Sequence, residues 1–360
     1  MPAEPSPTVP ADLAALGLRG PTASAWERAG RPAVARVCRL DRGWCTVARR
    51  PDETDAGGGA RARTFGQVAV GDWVVLDGAG DVVEQVLPRH SALVRRASFE
   101  GARAQAHVAA ANIDHVFCVH ALASPPNGRR LERELVLVFE SGADPVVVLT
   151  KSDVADDVPG SLSAVRAVAL AVPVHAVSAR AGSGLDELSP YTAEHRTVAI
   201  VGASGVGKST LVNALVGRER MRTGEVREGD QRGRHTTVAT ELVPLPDGGI
   251  LIDTPGLRAV SLWASDDDTP HGLDRAFADV VALAQRCRFR NCMHETEPGC
   301  AVRAAVDDGV LPVERLLSWQ RLTAELDALE QESIEVERAA ARGRRKPRRS
   351  GRGGSPDDAG

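Results

Sequence analysis

The sequence is poor in aromatic residues and has no long hydrophobic segment. Aromatic side chains make up 3% of the 360 residues, although hydrophobic residues in total reach 43%. The core must therefore consist mainly of valine, leucine and alanine. No apolar run approaches the roughly 20 residues that a membrane-spanning helix needs, and the first ten residues lack the basic and apolar segments of a secretory signal. We expect a cytoplasmic protein that does not enter a membrane.

The charge is unevenly distributed. A formal net charge of −4 argues against a general nucleic-acid binder, and we expect no DNA partner. Residues 338–352, however, are strongly basic. Arginines and lysines of this kind can neutralise phosphates without regard to base sequence. A solubilising tail is the alternative interpretation of the same residues.

The pattern of apolar, polar and glycine residues changes along the chain and predicts three domains. Short β-like runs punctuated by glycine fill residues 33–95 and predict an N-terminal β-barrel, with the OB-fold as the favoured form. Residues 100–262 alternate strands and helices, which predicts an α/β domain. Residues 263–340 predict a mainly helical module. A loosely ordered segment, 1–32, with one short helix near Leu13, precedes these domains, and a basic disordered tail, 341–360, follows them. A barrel that only packs against its neighbour would have the same texture, so the barrel alone does not establish RNA binding.

A phosphate-binding loop is the most specific motif. The pattern G-x-x-x-x-G-K-[ST] follows a predicted strand at 197–201 and precedes a helical run at 210–216, which is the context that the motif requires. Its backbone N–H groups and the helix N-terminus favour phosphate there. Lys208 is expected to reach the β- and γ-phosphates, and Ser209 to ligate Mg²⁺. The predicted nucleotide-binding residues are Gly202, Ala203, Ser204, Gly205, Val206, Gly207, Lys208, Ser209 and Thr210.

A second phosphate-site motif, D-x-x-G, runs from Asp253 to Gly256 directly after the predicted strand 249–252. An aspartate at the end of such a strand can hold Mg²⁺, and the glycine N–H can meet the γ-phosphate. Between the two motifs, residues 229–237 are rich in glycine and arginine. Thr236 or Thr237 could close on Mg²⁺ and the γ-phosphate, and the spacing leaves open which of them does so.

Two further motifs indicate which base is bound. Thr150, Lys151 and Asp153 follow the predicted strand 145–149 and match the [NT]-K-x-D pattern of GTPases, with threonine in place of the commoner asparagine. Asp153 can accept two hydrogen bonds from guanine, whereas adenine offers no such pair. Ser178 and Ala179 follow the predicted strand 174–177 and match the S-A-x motif, whose backbone N–H meets the guanine O6. The sequence therefore predicts GTP and GDP as ligands.

The order of these motifs is circularly permuted, because the base motifs precede the phosphate loop. A sheet tolerates such a permutation when the old termini are joined and the chain opens elsewhere. The segment after Asp253 then leads directly into the C-terminal module, and we hypothesise that the nucleotide state moves this module.

The residue after the D-x-x-G motif is Leu257, which cannot orient the attacking water as a glutamine does in Ras-like proteins. This predicts slow intrinsic hydrolysis and a stimulating partner. His235 is a candidate for the catalytic water-orienting group, alongside Lys208. A solvated or RNA-facing histidine is the alternative interpretation.

A cluster of cysteines predicts a single structural zinc ion. The spacing Cys-x₄-Cys-x-His-x₅-Cys supplies three thiolates and one imidazole, a complete tetrahedral set without an open position. The ligands are Cys287, Cys292, His294 and Cys300. The flanking arginines 286, 288 and 290 are compatible with an RNA-facing surface or with a solvated one.

Taken together, these motifs resemble the RsgA (YjeQ) family of ribosome small-subunit-dependent GTPases. The resemblance runs from about Ala33 to Gln320 and includes the segments 112–114, 233–237, 287–294 and 297–300. It implies an OB-fold, a permuted GTPase domain and a zinc-binding C-terminal domain. It also implies late maturation of the small ribosomal subunit, with that subunit and its rRNA as partners and as the stimulus for GTP hydrolysis. The Gly57–Gly59 loop and the proline-containing segment 124–127 depart from the family pattern.

Three alternatives share some of these motifs. A GTPase that acts on another RNA or in translation would carry the same residues. An RNA-binding scaffold that uses nucleotide only as a switch is compatible with Leu257. A P-loop kinase or ATPase is disfavoured by Asp153 and by Ser178 with Ala179. We expect a monomer.

Overall fold

The computed structural model describes residues 9–54, 58–96, 106–122, 127–170, 172–217, 240–253 and 272–344. Across these ranges the chain forms an N-terminal barrel, a central α/β sheet and a helical C-terminal module. No helix in the described ranges combines the length and the apolar character needed to span a bilayer.

Two helices precede the barrel, where the sequence predicts a loosely ordered segment. They are α1 (Ala11–Ala15) and α2 (Gly20–Arg28). Leu16, Leu18 and Trp26 are almost fully buried in the main core. Burial of these large side chains offsets the entropy lost on ordering the segment. Packing on the core therefore orders residues 9–30, and α1 lies where the sequence predicts a short helix near Leu13, while residues 1–8 lie outside the described ranges.

The barrel is five-stranded. Its strands are β1 (Val34–Asp41), β2 (Trp44–Ala48), β3 (Ala60–Arg63), β4 (Trp73–Leu76) and β5 (Val83–Val86). Antiparallel pairing gives the order β3-β2-β1-β4-β5. A parallel bridge between Arg63 and Val82, with a 2.7 Å hydrogen bond from the Arg63 N–H to the Asp81 carbonyl, closes the ring. A closed five-stranded barrel with this connectivity is an OB-fold.

A hairpin leads from the barrel to the central sheet. It consists of β6 (Ala92–Arg96) and β7 (Ala106–Ala111). Asn112 follows it in a left-handed conformation, with φ of 55°, and its side-chain amide donates to the Gly71 carbonyl of the barrel at 3.0 Å. The Asn112 side chain thus ties the start of the α/β domain to the barrel.

The central sheet carries the strand-helix alternation that the sequence predicts. Its strands are β8 (His115–Ala121), β9 (Asp144–Thr150), β10 (Val174–Ala176), β11 (Thr197–Val201), β12 (Glu241–Pro244) and β13 (Ile250–Asp253). The order is β10-β9-β8-β11-β13-β12, and only β12 runs antiparallel to its neighbour within this sheet. The described helices that cover it are α3 (Gly128–Glu140), α4 (Val158–Ala169) and α5 (Lys208–Val216). Apolar clusters lie on both faces, as a mostly parallel sheet requires.

The barrel and the central sheet form one continuous sheet. Strand β1 pairs with β12 as well as with its barrel neighbours, so eleven strands are connected. The buried guanidinium of Arg36 on β1 reinforces this junction. It donates to the Thr197 hydroxyl at 2.9 Å and to the Asn112 carbonyl at 3.1 Å, which links the barrel to the strand before the phosphate loop.

The C-terminal module packs on α3. Its helices are α6 (Gly272–Ala276), α7 (Ala278–Ala284), α8 (Ala301–Asp307) and α9 (Val313–Arg344). Arg315 on α9 lies 2.9 Å from Glu132 on α3 and 3.0 Å from Asp279 on α7, and it covers the Phe277 ring. Removal of one partner from such a buried charge network costs several kcal/mol, so these contacts fix the module on the central domain. Helix α9 continues four residues into the segment predicted as a tail, and residues 345–360 lie outside the described ranges.

Candidate nucleotide-binding and zinc sites

The predicted nucleotide motifs meet at one edge of the sheet. Strands β9, β11 and β13 run parallel, and each ends at a predicted motif. The carboxyl ends of parallel strands share one edge, which is where α/β sheets bind ligands. The permuted chain order therefore leaves the spatial arrangement of the site intact.

The phosphate loop turns tightly between β11 and α5 because its glycines adopt conformations that other residues rarely reach. The φ angles are 150° at Gly202, 80° at Gly205 and 97° at Gly207. A Cβ atom on Gly202 would lie 2.3 Å from the Val119 carbonyl oxygen, so only glycine fits beside β8. Gly207 then leads directly into α5, whose N-terminal N–H groups and dipole favour phosphate oxygens.

Lys208 folds back over this loop. Its Nζ donates to the carbonyl oxygens of Gly202 at 2.8 Å and Ala203 at 2.5 Å. The side chain thus places its ammonium group above the loop, at the position from which a P-loop lysine neutralises phosphate oxygens.

The first two residues of the base motif brace the phosphate loop. The buried Thr150 hydroxyl lies within hydrogen-bond distance of the Val206 carbonyl and, at 3.1 Å, of the His120 carbonyl. Lys151 is left-handed, with φ of 60°, and its Nζ donates to the Gly205 carbonyl at 2.8 Å. The sequence pattern predicts that these residues belong to the nucleotide site, but it gives no sign that they hold the loop backbone.

The two base motifs are joined by a side-chain hydrogen bond. Ser178 Oγ donates to Asp153 Oδ1 at 2.7 Å, and this bond is the main reason that the pKa of Asp153 lies below its usual value. Asp153 is therefore ionised at neutral pH. It is also exposed, so its second oxygen can accept hydrogen bonds from a base.

The turn after β10 fixes the S-A-x motif. Ser178 and Ser183 exchange backbone hydrogen bonds of 2.9 and 3.2 Å, and the Ser178 hydroxyl accepts from the Ala181 N–H at 3.1 Å. Gly184 is left-handed, and a Cβ there would lie 2.5 Å from the Ala176 carbonyl. The glycines and serines of this segment thus form a rigid turn that presents the Ala179 backbone. The contribution of Ser183 and Gly184 to this turn was not predicted from the sequence, although the glycine spacing signals a turn.

The predicted magnesium ligands fit a hard cation. Val243 and Leu251 pack in the apolar cluster that contains the α5 residues Leu211 and Val212. Asp253 lies two positions beyond Leu251 on β13, so it is on the same α5 face. Ser209 is in the first turn of α5, the helix that covers this face. A carboxylate and a hydroxyl are oxygen ligands of the kind that Mg²⁺ prefers.

Five residues of the predicted site or its surroundings lie outside the described ranges. They are His235, Thr236, Thr237, Gly256 and Leu257.

The four zinc-ligand candidates converge. Their ligand atoms all lie within 4.8 Å of one another. His294 Nδ1 is 3.4 Å from Cys300 Sγ and 3.7 Å from Cys287 Sγ, and the two sulfurs are 3.9 Å apart. Tetrahedral zinc with bonds of about 2.3 Å to sulfur and about 2.0 Å to nitrogen separates its ligands by about 3.5–3.8 Å. The donor set and its spacing therefore fit one structural zinc ion.

Backbone N–H groups donate hydrogen bonds to the side chains in and beside this cluster. Burial raises the pKa of the Cys287 thiol, but hydrogen bonds from backbone N–H groups, including that of Ala301 at 3.3 Å, lower it below its usual value. The Met293 N–H, at 2.8 Å, is the first of several that lower the pKa of Glu297 to about 2. The Glu297 carboxylate is therefore charged at neutral pH, and it also accepts from the N–H groups of Glu295 and Thr296 in the ligand loop. The left-handed His294, with φ of 59°, packs against the ring of Trp319.

The fold and the nucleotide site together define a P-loop GTPase with circularly permuted motifs. A solved structure of YjeQ from Thermotoga maritima is similar, with a TM-score of 0.56 and 26% identity over 81% of this chain and 98% of that one. YloQ, described as a circularly permuted GTPase, shares the fold, with a TM-score of 0.56 and 22% identity over 82% of this chain and 95% of that one.

Sequence relatives identify the family. A family model described as RsgA GTPase matches residues 86–263. The chain is 45% identical to a small ribosomal subunit biogenesis GTPase RsgA of Methanosarcina acetivorans over 272 residues. This aligned region covers 74% of this chain and 72% of the relative. A protein of Streptomyces coelicolor with the same description is 44% identical over 304 residues, or 81% of this chain and 79% of the relative. The chain therefore belongs to the RsgA GTPase family. This confirms the predicted fold class and the predicted GTP hydrolase class.

Proposed function

We propose that this protein binds the small ribosomal subunit and its rRNA and hydrolyses GTP to GDP and phosphate during late maturation of that subunit. The observation that carries the proposal is the meeting of the phosphate loop and both guanine motifs at one sheet edge, in a chain similar to small ribosomal subunit biogenesis GTPases. Three units share this function, namely the barrel over 33–95, the GTPase domain over 100–262 and the zinc module over 263–340. The ribosomal partner also supports a cytoplasmic location, and we propose that the protein acts as a monomer.

The residues have distinct proposed roles. Asp153 selects guanine, and the Ala179 backbone meets its O6. The phosphate loop and Lys208 bind and orient the phosphates. Ser209 and Asp253 hold Mg²⁺, which when bound supplies positive charge to the β- and γ-phosphate oxygens. Gly256 and either Thr236 or Thr237 complete the γ-phosphate site.

Hydrolysis is proposed to depend on the partner. Leu257 occupies the place of a water-orienting glutamine and has no group that can position water. We propose that His235 positions the attacking water instead, once the small subunit is bound.

Two surfaces support contact with rRNA. On the barrel, the guanidinium groups of Arg61 and Arg63 both lie over the Trp44 ring, at 5.1 and 5.0 Å from its centroid, and Phe65 is 80% exposed. Aromatic rings and arginines together bind unpaired bases and phosphates. On the zinc module, Arg288 covers the exposed Phe289 at 5.5 Å. The zinc ion is proposed to hold this second surface in shape.

Substitution of Asp153 by asparagine tests the base assignment. The amide would turn a donor toward the guanine N1 or N2 donors, so we expect GTP affinity to fall at least about 100-fold. Titration of the purified protein with a fluorescent GTP analogue measures this. Asp156→Asn is the matched control, because Asp156 is an exposed carboxylate on the same loop and should bind GTP normally. Unchanged GTP affinity in Asp153→Asn would instead favour a kinase or ATPase.

The ribosomal partner is tested by GTP turnover with purified subunits. We expect a large increase with small subunits and none with large subunits. Nucleotide binding without stimulation would point to a GTPase of another RNA or to a nucleotide-switch scaffold.

A further inference from the structure

One row of charged side chains crosses from the barrel to the magnesium end of the GTPase site. Arg39 on β1 is the register partner of Glu241 on β12, and Glu241 is the register partner of Asp253 on β13. Directly opposed residues on antiparallel strands present their side chains on the same face. Arg39, Glu241 and Asp253 therefore stand side by side across three strands.

The first two members of this row form an ion pair between domains. Arg39 Nη1 lies 3.3 Å from Glu241 Oε1, and the side chains are 46% and 31% exposed. Arg39 also lies 3.9 Å from Asp41 of its own strand. The pair therefore places a barrel cation next to the carboxylate that neighbours Asp253.

The strand geometry holds this row in position. The pairing of β1 with β2 shifts register between Val37 and Arg39, and such bulges bend a strand and redirect its side chains. Cys38, at the shift, is buried in the core that contains Leu242 of β12 and Ile252 of β13. The bend thus carries β1 out of the barrel and onto β12.

The row also faces the correct side of the sheet. Glu241 and Asp253 are each two residues from a member of the apolar cluster around α5, namely Val243 and Leu251. Their side chains therefore project on the face that is covered by α5, which has Ser209 in its first turn. A charge on Glu241 acts directly on a cation held between Ser209 and Asp253.

We propose that Arg39 and Glu241 are a positioning pair that sets the charge beside Asp253 and thereby the retention of Mg²⁺ and nucleotide. This inference rests on the proposed role of Asp253. Glu241 adds negative charge near the cation, and Arg39 neutralises it from the barrel. The OB-fold thus contributes to the GTPase site without touching the nucleotide.

The two charges predict opposite effects. A unit charge about 8 Å from a divalent cation in a water-like dielectric changes cation affinity up to about fivefold, and salt reduces this to about twofold. Arg39→Gln removes a positive charge from this row, so less Mg²⁺ should suffice. Glu241→Gln removes a negative charge from it, so more Mg²⁺ should be needed. The double variant should return to the wild-type value.

The test is the release rate of a fluorescent GDP analogue from the full chain, measured across Mg²⁺ concentrations without turnover. We expect the Mg²⁺ midpoint to fall about two- to fivefold in Arg39→Gln and to rise about two- to fivefold in Glu241→Gln. The double variant and the charge-conserving Arg39→Lys should lie within twofold of wild type. Arg31→Gln and Glu27→Gln are charge-matched controls, because these two residues form an exposed pair at the C-terminal end of α2.

Shifts of both single variants in the same direction would indicate a merely structural role and overturn the proposal, as would no shift in either. Asp253→Asn separates this failure from failure of the site assignment. It should raise the midpoint at least tenfold. An unshifted Asp253→Asn would show that Asp253 does not hold the cation and would overturn both proposals.

Discussion

Substitution of Lys208 by alanine is expected to lower GTP turnover by about 100- to 1,000-fold, the usual cost of removing one preorganised group that stabilises transition-state charge. The Lys208 ammonium lies over the phosphate loop, held by the carbonyl oxygens of Gly202 and Ala203. A phosphate bound in the loop would meet the positive charge of Lys208 at this position. The measurement is phosphate release under saturating GTP, with and without small subunits.

The control for this variant is a lysine outside the site. The chain has three lysines, and Lys346 in the basic tail is the one that belongs to neither nucleotide motif. Lys346→Ala should leave basal turnover unchanged. If Lys208→Ala retained turnover within tenfold of wild type while folded, the proposed phosphate site would be wrong.

The second large effect is expected when zinc is removed. Zinc binding to structural sites of this kind has an apparent free energy of about 10–16 kcal/mol and is coupled to folding. Cys300 also caps α8, where its sulfur accepts from the Arg303 N–H at 3.4 Å. We expect the purified protein to contain one zinc per chain and Cys292→Ala to contain none. Chelation should unfold the C-terminal module while GDP binding survives, because the nucleotide site lies on the central sheet.

Elemental analysis and thermal unfolding with and without chelator measure these effects. Cys45→Ala is the control, since Cys45 is a buried barrel thiol far from the cluster in sequence and should leave the zinc content at one. A wild-type protein without bound metal, or a Cys292→Ala variant with full zinc content, would refute the zinc assignment.

Local sequence was sufficient to predict the sheet edge at which the nucleotide motifs lie. Strand β11 has the predicted bounds, and β9 extends the predicted strand by one residue at each end. The reason is physical: buried parallel strands are continuous apolar runs, and the motifs must follow them directly. The zinc ligands were predictable because four soft donors within fourteen positions have few other uses.

Features that depend on distant partners could not be predicted. The second N-terminal helix, α2, buries Trp26 in a core shared with strands far along the chain, and its own sequence is short and begins with glycine and proline. Strand β3 (Ala60–Arg63) alternates alanine with arginine and lacks a strong β pattern. The pairing of β1 with β12, and with it the pair of Arg39 and Glu241, joins residues about 200 positions apart and leaves no local signal.

Thr150 shows what a sequence motif can and cannot predict about a single residue. The pattern [NT]-K-x-D predicts a residue of the guanine site. The structure shows its hydroxyl beside the carbonyl oxygens of His120 and Val206, where it joins β8, β9 and the phosphate loop. A motif identifies which residues belong to a site, but the contacts of each side chain follow from the fold.

The most direct test of the proposed function is GTP hydrolysis by the purified full-length protein, alone and with purified small ribosomal subunits, against large subunits and ATP as controls. We expect slow hydrolysis of GTP alone, strong stimulation by small subunits, and neither stimulation by large subunits nor turnover of ATP. Hydrolysis that is equally fast without the small subunit, or stimulated equally by both subunits, would contradict the proposed function.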